Sequence, residues 1–190
     1  MKKYVLIAGV NGSGKSTLYH SRLPLQEMPR VNSDEILRNL GDWRKPADVM
    51  KASRIAVERI AEYLDKGLTF NQETTLCGRA IVRNIKRAKE YGYEVELYYV
   101  GVDSVEIAKE RVKNRVAEGG HGIPEKDIER RYVETFKNLR EVLPYCNKAT
   151  FYDNTEKFRR FAIYENGKFL RIAEKAPEWF KKYVMSEIKI

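Results

Sequence analysis

The chain has 190 residues, of which 43% are apolar, and it carries a formal net charge of +9. This length suits one domain with a sizeable core, and the lack of any run of about eighteen apolar residues excludes a membrane-spanning helix. The positive charge favours anionic ligands. The lysines and arginines are dispersed rather than interleaved with aromatic residues, which disfavours nucleic acid as the main substrate.

The first predicted strand, Tyr4 to Ala8, leads directly into a glycine-rich loop, residues 9–17. The loop has the G-x-x-x-x-G-K-[ST] spacing, and an amphipathic stretch from Leu18 to Leu23 follows it, which is the order typical of a phosphate-binding loop. Its glycines allow backbone N–H groups to converge on phosphate oxygens. Lys15 would bring a charge to the β- and γ-phosphates, and the Ser16 hydroxyl would bind Mg²⁺. The predicted nucleotide-binding residues of this loop are Gly9, Asn11, Gly12, Ser13, Gly14, Lys15, Ser16 and Thr17.

Beyond the loop, predicted strands and helices alternate, which indicates a parallel sheet covered by helices on both faces. Residues 1–190 are interpreted as one domain because no linker or low-complexity tract divides them. Residues 116–131, which include a run of glycines, are predicted to form a lid. The other predicted elements are a short strand Arg30–Asn32, helices from Ser33 and from Pro46 to Gly67, a strand Leu68–Gln72, a helix ending at Gly92, a strand Val95–Val102, helices 104–118 and 124–142, and a strand Thr150–Tyr152.

The C-terminal residues 156–190 differ in character from the rest of the chain. Two short apolar runs, 161–164 and 169–173, flank an Asn-Gly pair, which is a strong signal for a β-hairpin. A last helix is predicted from Pro177 to about Glu187. One interpretation is an edge hairpin and a packing helix. The alternative is a partner-binding surface formed by the aromatic residues of that helix, Trp179, Phe180 and Tyr183.

The two cysteines, Cys77 and Cys146, lack the spacing of metal ligands, and we expect them to be reduced thiols. The first residues run directly into the strand that supports the glycine loop, so we expect no cleaved signal peptide. These features favour a cytoplasmic protein without a membrane partner.

Two predicted strands end in carboxylates, at the edge where open α/β sheets bind their ligands. Asp34 is placed to accept a proton from a substrate hydroxyl or to hold Mg²⁺ through water, although it also suits the first turn of a helix capped by Ser33. Glu73 and Thr74 are assigned to the substrate, and a structural hydrogen bond is the alternative for Glu73. No Asp follows four apolar residues there, which favours a small phosphotransferase over a motor or switch ATPase.

Arginines bracket the predicted lid. Arg111 and Arg115 lie four residues apart on one helical face, and Arg131 flanks the apolar face of the next helix, whereas Arg130 points further outward. Cations in these positions would reach a transferring phosphoryl group when a lid closes and expels water. We assign Arg115 and Arg131 to catalysis and Arg111 to nucleotide binding; a solvated helix surface is the alternative. His121, among the lid glycines, is assigned to the substrate.

The ordered motifs resemble the zeta-toxin-like branch of phosphate-loop kinases, in particular its short chromosomal members. The resemblance covers most of residues 3–154. It implies a three-layer sandwich around a mostly parallel five-stranded sheet in the order 2-3-1-4-5, followed by the hairpin and helix. The segments that carry it are the glycine loop, Val31–Asp34, Glu73–Thr75, Arg111–Val116, Gly119–Pro124, Ile128–Tyr132 and Asp153–Asn154.

The resemblance also implies an ATP- and Mg²⁺-dependent kinase. Asp34 would be the base for a sugar hydroxyl of UDP-N-acetylglucosamine, Lys15 and the lid arginines would neutralise the transferred phosphoryl group, and Asn154 would belong to the nucleotide site. An antitoxin-like protein partner is a further implication of the resemblance.

We therefore expect a kinase that phosphorylates a hydroxyl of a small, anionic metabolite through positioning and charge neutralisation. Two alternatives stay open. One is a toxin–antitoxin or regulatory ATP-binding protein that acts through a protein partner; the other is a nucleic-acid end kinase, suggested by the net charge.

Overall fold

Seven strands form one sheet in the computed structural model, which describes residues 1–186. They are β1 Lys3–Ala8, β2 Arg30–Asn32, β3 Phe70–Thr74, β4 Glu94–Gly101, β5 Lys148–Asp153, β6 Arg159–Glu165 and β7 Lys168–Ile172. The strand order is β2-β3-β1-β4-β5-β6-β7, and only β6 and β7 are antiparallel to their neighbours. The predicted order 2-3-1-4-5 is confirmed. The five predicted strands are parallel, and the predicted hairpin joins the same sheet beyond β5, which brings the total to seven.

Helices connect the parallel strands, as the alternation predicted. The segment Leu18 to Leu23 does not form one helix, since Arg22 is extended and a second short helix begins at Leu23, with Pro24 in its first turn. The helices are α1 Lys15–His20, α2 Leu23–Gln26, α3 Ser33–Leu40, α4 Pro46–Asp65, α5 Arg79–Glu90, α6 Val105–Ala117, α7 Glu125–Val142 and α8 Glu178–Phe180.

The central strand β1 is buried on both faces. Its side chains Tyr4, Leu6 and Ala8 belong to a large apolar cluster with α3 to α7, and Val5 and Ile7 belong to a smaller cluster with α1 and α2. Because alternate side chains of a strand point to opposite faces, a strand covered on both sides requires a continuous apolar run. The sheet is thus the middle layer of three, and its two helical layers are unequal in size.

The carboxyl ends of the parallel strands meet at one edge of the sheet. In the strand register, Ala8 lies opposite Thr74, Asn32 opposite Glu73, and Gly101 opposite Asp153. The glycine loop follows β1 and Asp34 follows β2, so this register brings the loop and both predicted carboxylates to the same edge. Such an edge is where open α/β sheets bind ligands.

The Asn-Gly pair forms the hairpin turn between β6 and β7, as predicted. Asn166 and Gly167 both have positive φ angles, 48° and 89°, which a two-residue hairpin loop of type I′ requires. The last helix is shorter than predicted: α8 is followed by a wider helical turn, Lys181–Met185, in which the Ser186 N–H bonds the Lys181 carbonyl. Its predicted end, Glu187, lies outside the described residues.

The aromatic residues of the tail are part of the core. Trp179 is 1% exposed and Phe180 is fully buried, and the Trp179 ring lies 5.5–5.7 Å from four other rings. We call Tyr99, Phe136, Phe161, Trp179 and Phe180 the C-terminal aromatic cluster. The interpretation of Trp179 and Phe180 as a partner-binding surface is therefore wrong, and the packing interpretation describes them.

Two polar contacts fix the tail to the sheet. The Trp179 N–H donates to Asp103, and the Trp179 indole N–H donates to Asp153 Oδ1 at 3.2 Å. A Cβ on Gly101 would lie 2.3 Å from the indole, so β4 needs glycine there to admit the ring.

Both cysteines are free thiols, and burial raises the pKa of Cys146 to about 12. Within residues 1–186, no helix combines the length and apolar character needed to cross a membrane.

Candidate active site

The glycine loop is fitted tightly between β1 and β4. A Cβ on Gly9 would lie 2.1 Å from the Val100 carbonyl oxygen, so this predicted nucleotide residue serves to bring the backbone close to the sheet. Gly14, with a φ angle of 103°, immediately precedes α1. The first N–H groups of a helix have no partner within it. The loop backbone is thus held at the sheet edge with donors available for an anion.

Lys15 lies inside this site rather than on the surface. Its side chain is 8% exposed, and Nζ donates to the Val10 carbonyl at 3.0 Å. Burial lowers the Lys15 pKa, while the charges of Glu73 and Asp34 oppose that shift. The carboxylates favour the charged form of Lys15, and with the Val10 carbonyl as its one hydrogen-bond partner the ammonium keeps donors for a phosphate.

Asp34 projects from the first turn of α3, and the helix start differs from the prediction. Asn32, not Ser33, is the N-cap: its Oδ1 accepts the N–H of Asp34 at 2.9 Å and of Glu35 at 3.4 Å. Because Asn32 satisfies these amide donors, the Asp34 carboxylate is not needed as a cap. It lies within 3.7 Å of His121 Nε2 and lines the cleft above the loop.

Glu73 connects the glycine loop to β2. It accepts the Ser16 hydroxyl at 3.1 Å and pairs with Arg30, which also pairs with Glu35 and stacks on Tyr19 at 3.6 Å. The structural hydrogen bond considered for Glu73 is thus present, and its carboxylate still borders the cleft.

The Ser16–Glu73 pair fits a magnesium ion. Mg²⁺ commonly takes one or two protein oxygens together with phosphate oxygens and waters. Within residues 1–186 no cluster of three or more His, Cys, Asp or Glu side chains is suited to a metal. Ser16, with Glu73 acting through water, supplies the oxygen donors of the type that such an ion prefers.

The arginines of α6 point into the site with unsatisfied donors. In the described part of the chain, Arg115 Nε and Nη2 and Arg111 Nη1 are hidden from solvent and have no hydrogen-bond partner. Arg111 Nη2 donates to the Thr155 carbonyl at 3.0 Å. Buried donors without partners are costly, and an anion such as a nucleotide phosphate would satisfy them.

The two adjacent arginines of α7 have different surroundings. Arg131 donates to Asn11 Oδ1 in the glycine loop at 3.1 Å. Arg130 is exposed and pairs with Asp127 and Glu134. The structure thus brings Arg131 to the loop and leaves Arg130 on the helix surface.

The predicted lid, residues 116–131, consists of the end of α6, a loop and the first turns of α7. Gly120 folds back on Arg115, where a Cβ would lie 2.6 Å from the arginine Cγ, and a Cβ on Gly122 would lie 2.5 Å from the Trp43 ring. The His121 ring also packs against Trp43, with centroids 6.0 Å apart. The loop therefore contacts the α3–α4 connection through Trp43 and places His121 beside Asp34.

Two clefts meet at these residues. The first, which we call the loop cleft, has a volume of about 830 Å³ and is lined by the glycine loop, Arg111 and Arg115. The second, the α4–α5 cleft, has a volume of about 790 Å³ and is lined on one side by those two helices. Both are bordered by Lys15, Asn32, Asp34, Glu73 and His121.

Two predicted site residues hold the backbone. The Asn154 amide donates to the Ser13 carbonyl at 2.9 Å, and so supports the loop. The Thr74 hydroxyl accepts the Leu76 N–H at 3.0 Å. Leu76 is buried with φ of 59°, an unfavourable conformation for a bulky residue, so the turn after β3 is strained beside the α4–α5 cleft.

Sequence reasoning missed Arg30, Trp43 and Asn138. Arg30 orients Glu73, Trp43 supports the lid, and the Asn138 amide donates to the Leu76 and Gly78 carbonyls. The position of Arg30 at the start of the short strand before Asp34 could have indicated its role. Nothing local distinguishes Trp43 or Asn138.

The parallel sheet, its glycine loop and the helices around it define an α/β P-loop kinase-like fold. A family model described as an AAA domain, AAA_33, matches residues 5–141, and the chain belongs to this family. It is also similar to an uncharacterized protein of Haemophilus influenzae, with 35% identity over 130 residues that make up 68% of this chain and 92% of the relative.

Two solved structures share the fold. The crystal structure of AvrRxo1-ORF1:-ORF2 with ATP has a TM-score of 0.74 and 18% identity over 100% of this chain, which spans 65% of that protein's length. A structure from the PezAT chromosomal toxin-antitoxin system of Streptococcus pneumoniae has a TM-score of 0.59 and 15% identity, covering 83% of this chain and 70% of that one. These likenesses confirm the kinase-like fold.

Proposed function

We propose that this protein is a Mg²⁺- and ATP-dependent kinase that transfers the γ-phosphoryl group of ATP to a hydroxyl of a small molecule. The observation that carries the proposal is the position of Asp34 and Glu73, which lie with buried Lys15 at the border between two clefts. One cleft would hold the nucleotide and the other the acceptor.

Each residue has a distinct part in the proposed reaction. The bond from γ-phosphorus to the acceptor oxygen forms while its bond to the bridging oxygen of ADP breaks, and the hydroxyl proton passes to Asp34. Lys15, Arg115 and Arg131 neutralise charge on the transferring group. The loop amides and Arg111 bind the nucleotide, and Asn154 supports the loop.

Bound Mg²⁺ would neutralise charge on the β- and γ-phosphates, with Ser16 and, through water, Glu73 as its protein partners. Thr74 and His121 border the acceptor. Lid contact through Trp43 excludes water from the reacting groups, which strengthens every charge interaction among them.

The direct test is Asp34→Asn. We expect ATP affinity to stay within about twofold and transfer of labelled phosphate to fall at least about 10³-fold, measured by calorimetry and by transfer from γ-labelled ATP to a panel of alcohols. Asp65→Asn is the matched control, because this exposed carboxylate pairs with Arg87 and borders neither cleft. Turnover retained in Asp34→Asn would remove Asp34 as the base.

A zeta-toxin-like reaction with UDP-N-acetylglucosamine belongs to the same panel. The PezAT structure comes from a toxin-antitoxin system and the AvrRxo1 structure is that of a two-protein complex, which supports an antitoxin-like partner as a second candidate. Copurification of a stable partner would test it. The buried Trp179 and Phe180 are not available for that contact.

A basic groove between α5 and α7 supports the nucleic-acid end kinase as the other alternative. It is lined by Arg79, Arg83, Lys86, Arg87 and Lys137, together with polar and acidic residues. Binding to oligonucleotides that weakens steeply with salt would favour this reading, and its absence would dismiss it.

A further inference from the structure

The α4–α5 cleft has an uncharged wall opposite the phosphate-binding residues. On α4 it is lined by Pro46, Val49, Met50, Ala52, Ser53, Ala56, Val57 and Ile60, and on α5 by Ala80, Ile81 and Asn84. None of these side chains carries a charge. The cleft volume, about 790 Å³, is in the range of small-molecule sites.

The cations that border this cleft are already engaged or lie toward the glycine loop. Arg130 pairs with Asp127 and Glu134, and Arg44 pairs with Asp42. Lys15 and Arg131 contact the loop itself. Among residues 1–186, the α4 and α5 wall therefore offers no cation to an acceptor phosphate or carboxylate.

The wall exposes apolar side chains that the core does not need. Met50 is 65% exposed and Val57 is 40% exposed, and the two lie seven residues apart, on one face of α4. Val49 lies partly exposed at the cleft, whereas Ala52, Ala56, Ile60 and Leu64 are buried. Apolar side chains at a concave site are typical of contact with a ligand.

The wall also contains one amide side chain. Asn84 is 9% exposed and lines the cleft. An amide offers both a donor and an acceptor. A ligand with an amide-like edge would satisfy both functions of Asn84.

We infer that the acceptor is an uncharged alcohol of the nucleoside class: a hydroxyl-bearing ring that reaches Asp34, joined to a heterocycle that packs on α4 and pairs with Asn84. This inference rests on the proposed kinase function. It departs from the expectation of an anionic acceptor, which followed from net charge rather than from the residues of the cleft.

The test uses matched pairs of alcohols with and without a phosphate. The protein is incubated with Mg²⁺, γ-labelled ATP, and uridine, thymidine or glucose, or with uridine 5′-monophosphate, thymidine 5′-monophosphate or glucose 6-phosphate. We expect kcat/KM for at least one nucleoside to exceed that of its monophosphate and of both sugars by about tenfold or more, because an unpaired buried phosphate is costly.

Variants of the wall test the assignment itself. Val57→Lys should shift the ratio of kcat/KM for nucleoside to monophosphate by about tenfold toward the monophosphate. Val133→Lys is the matched control, since Val133 is 67% exposed on α7 and borders neither cleft. Asn84→Leu should raise KM for the nucleoside about tenfold and leave KM for ATP unchanged.

The outcomes separate this inference from the proposed function. Transfer to sugars or to monophosphates in preference to nucleosides overturns the inference and leaves the kinase intact. An unchanged nucleoside KM in both Val57→Lys and Asn84→Leu also overturns it. If ATP binds normally and no alcohol accepts phosphate, the proposed function fails, and the inference fails with it.

Discussion

The loop cleft and the C-terminal aromatic cluster differ in whether their buried polar groups have hydrogen-bond partners. In the described residues, Arg115 and Arg111 keep buried nitrogens without partners, whereas the backbone and indole N–H groups of Trp179 are both satisfied by aspartates. Unsatisfied buried donors lower stability, and their concentration beside the glycine loop indicates a region organised for a ligand. The aromatic cluster is organised for stability.

Trp179→Ala tests whether the aromatic cluster contributes mainly to stability. Loss of a fully packed indole should lower the free energy of unfolding by about 3–5 kcal/mol, measured by denaturant titration, with kcat per folded molecule within about twofold of wild type. Trp43→Ala is the contrasting variant: it should cost less stability and reduce transfer instead, because Trp43 supports the lid. The reverse pattern would remove the distinction between the two regions.

Lys15→Met tests whether the loop cleft is organised for a ligand rather than for stability. Removing the buried cation should reduce phosphoryl transfer by about 10³-fold, measured in single-turnover experiments with saturating ATP. The free energy of unfolding should not fall, because burial already disfavours the charged form of Lys15. A rate within about fivefold of wild type would contradict the assignment.

Arg115→Met sharpens the comparison further. We expect a loss of about 10²-fold in transfer, together with an unfolding free energy that is equal to or higher than that of wild type, because two unsatisfied buried donors are removed. Lys113→Met, an exposed change on the same helix, serves as control and should alter neither quantity. A marked loss of stability in Arg115→Met would assign Arg115 a structural role.

His121 gives the smallest expected effect, a change in pH dependence. Burial lowers the pKa of His121 below 6.5, and Asp34 partly opposes the shift, so the imidazole is neutral at neutral pH. As pH falls through that lowered pKa, a cation forms 3.7 Å from Asp34 and competes for the proposed base. We expect transfer to fall a few-fold on this acid limb.

The measurement is the pH–rate profile of wild type against His121→Gln, which should lose that limb. The same shift has a thermodynamic sign: the unfolded chain binds the His121 proton at higher pH than the folded one, so stability decreases as pH falls below 6.5. An identical profile in the two proteins would show that His121 does not influence Asp34.

The sequence predicted what local chemistry encodes. The glycine loop and the positions of Asp34 and Glu73 follow from motif spacing and from the apolar runs of buried strands, whereas the order 2-3-1-4-5 came from the resemblance to zeta-toxin-like kinases. The hairpin followed from Asn166 and Gly167. These features depend on a few neighbouring residues, and the structure places them as expected.

Other features depend on partners distant in sequence. The burial of Trp179 depends on Gly101, 78 residues earlier, which leaves room for its ring. The pairing of Arg30 with Glu73 spans 43 residues. Ser33 was predicted as the N-cap because serine is a good cap, but asparagine caps equally well. In the structure Asn32 has the extended backbone of an N-cap and accepts the N–H groups of Asp34 and Glu35. The roles of the site residues remain predictions for the variants above.

Asp153 and Asn154 are neighbours in sequence that serve different regions. Asp153 accepts the Trp179 indole N–H at 3.2 Å, and Asn154 donates to the glycine loop at 2.9 Å. One peptide unit thus joins the support of the glycine loop to the anchor of the tail, and any coupling between the two would be reciprocal. We expect ATP bound at the loop to slow proteolytic cleavage of the tail. Cleavage of the tail would in turn lower the affinity for ATP.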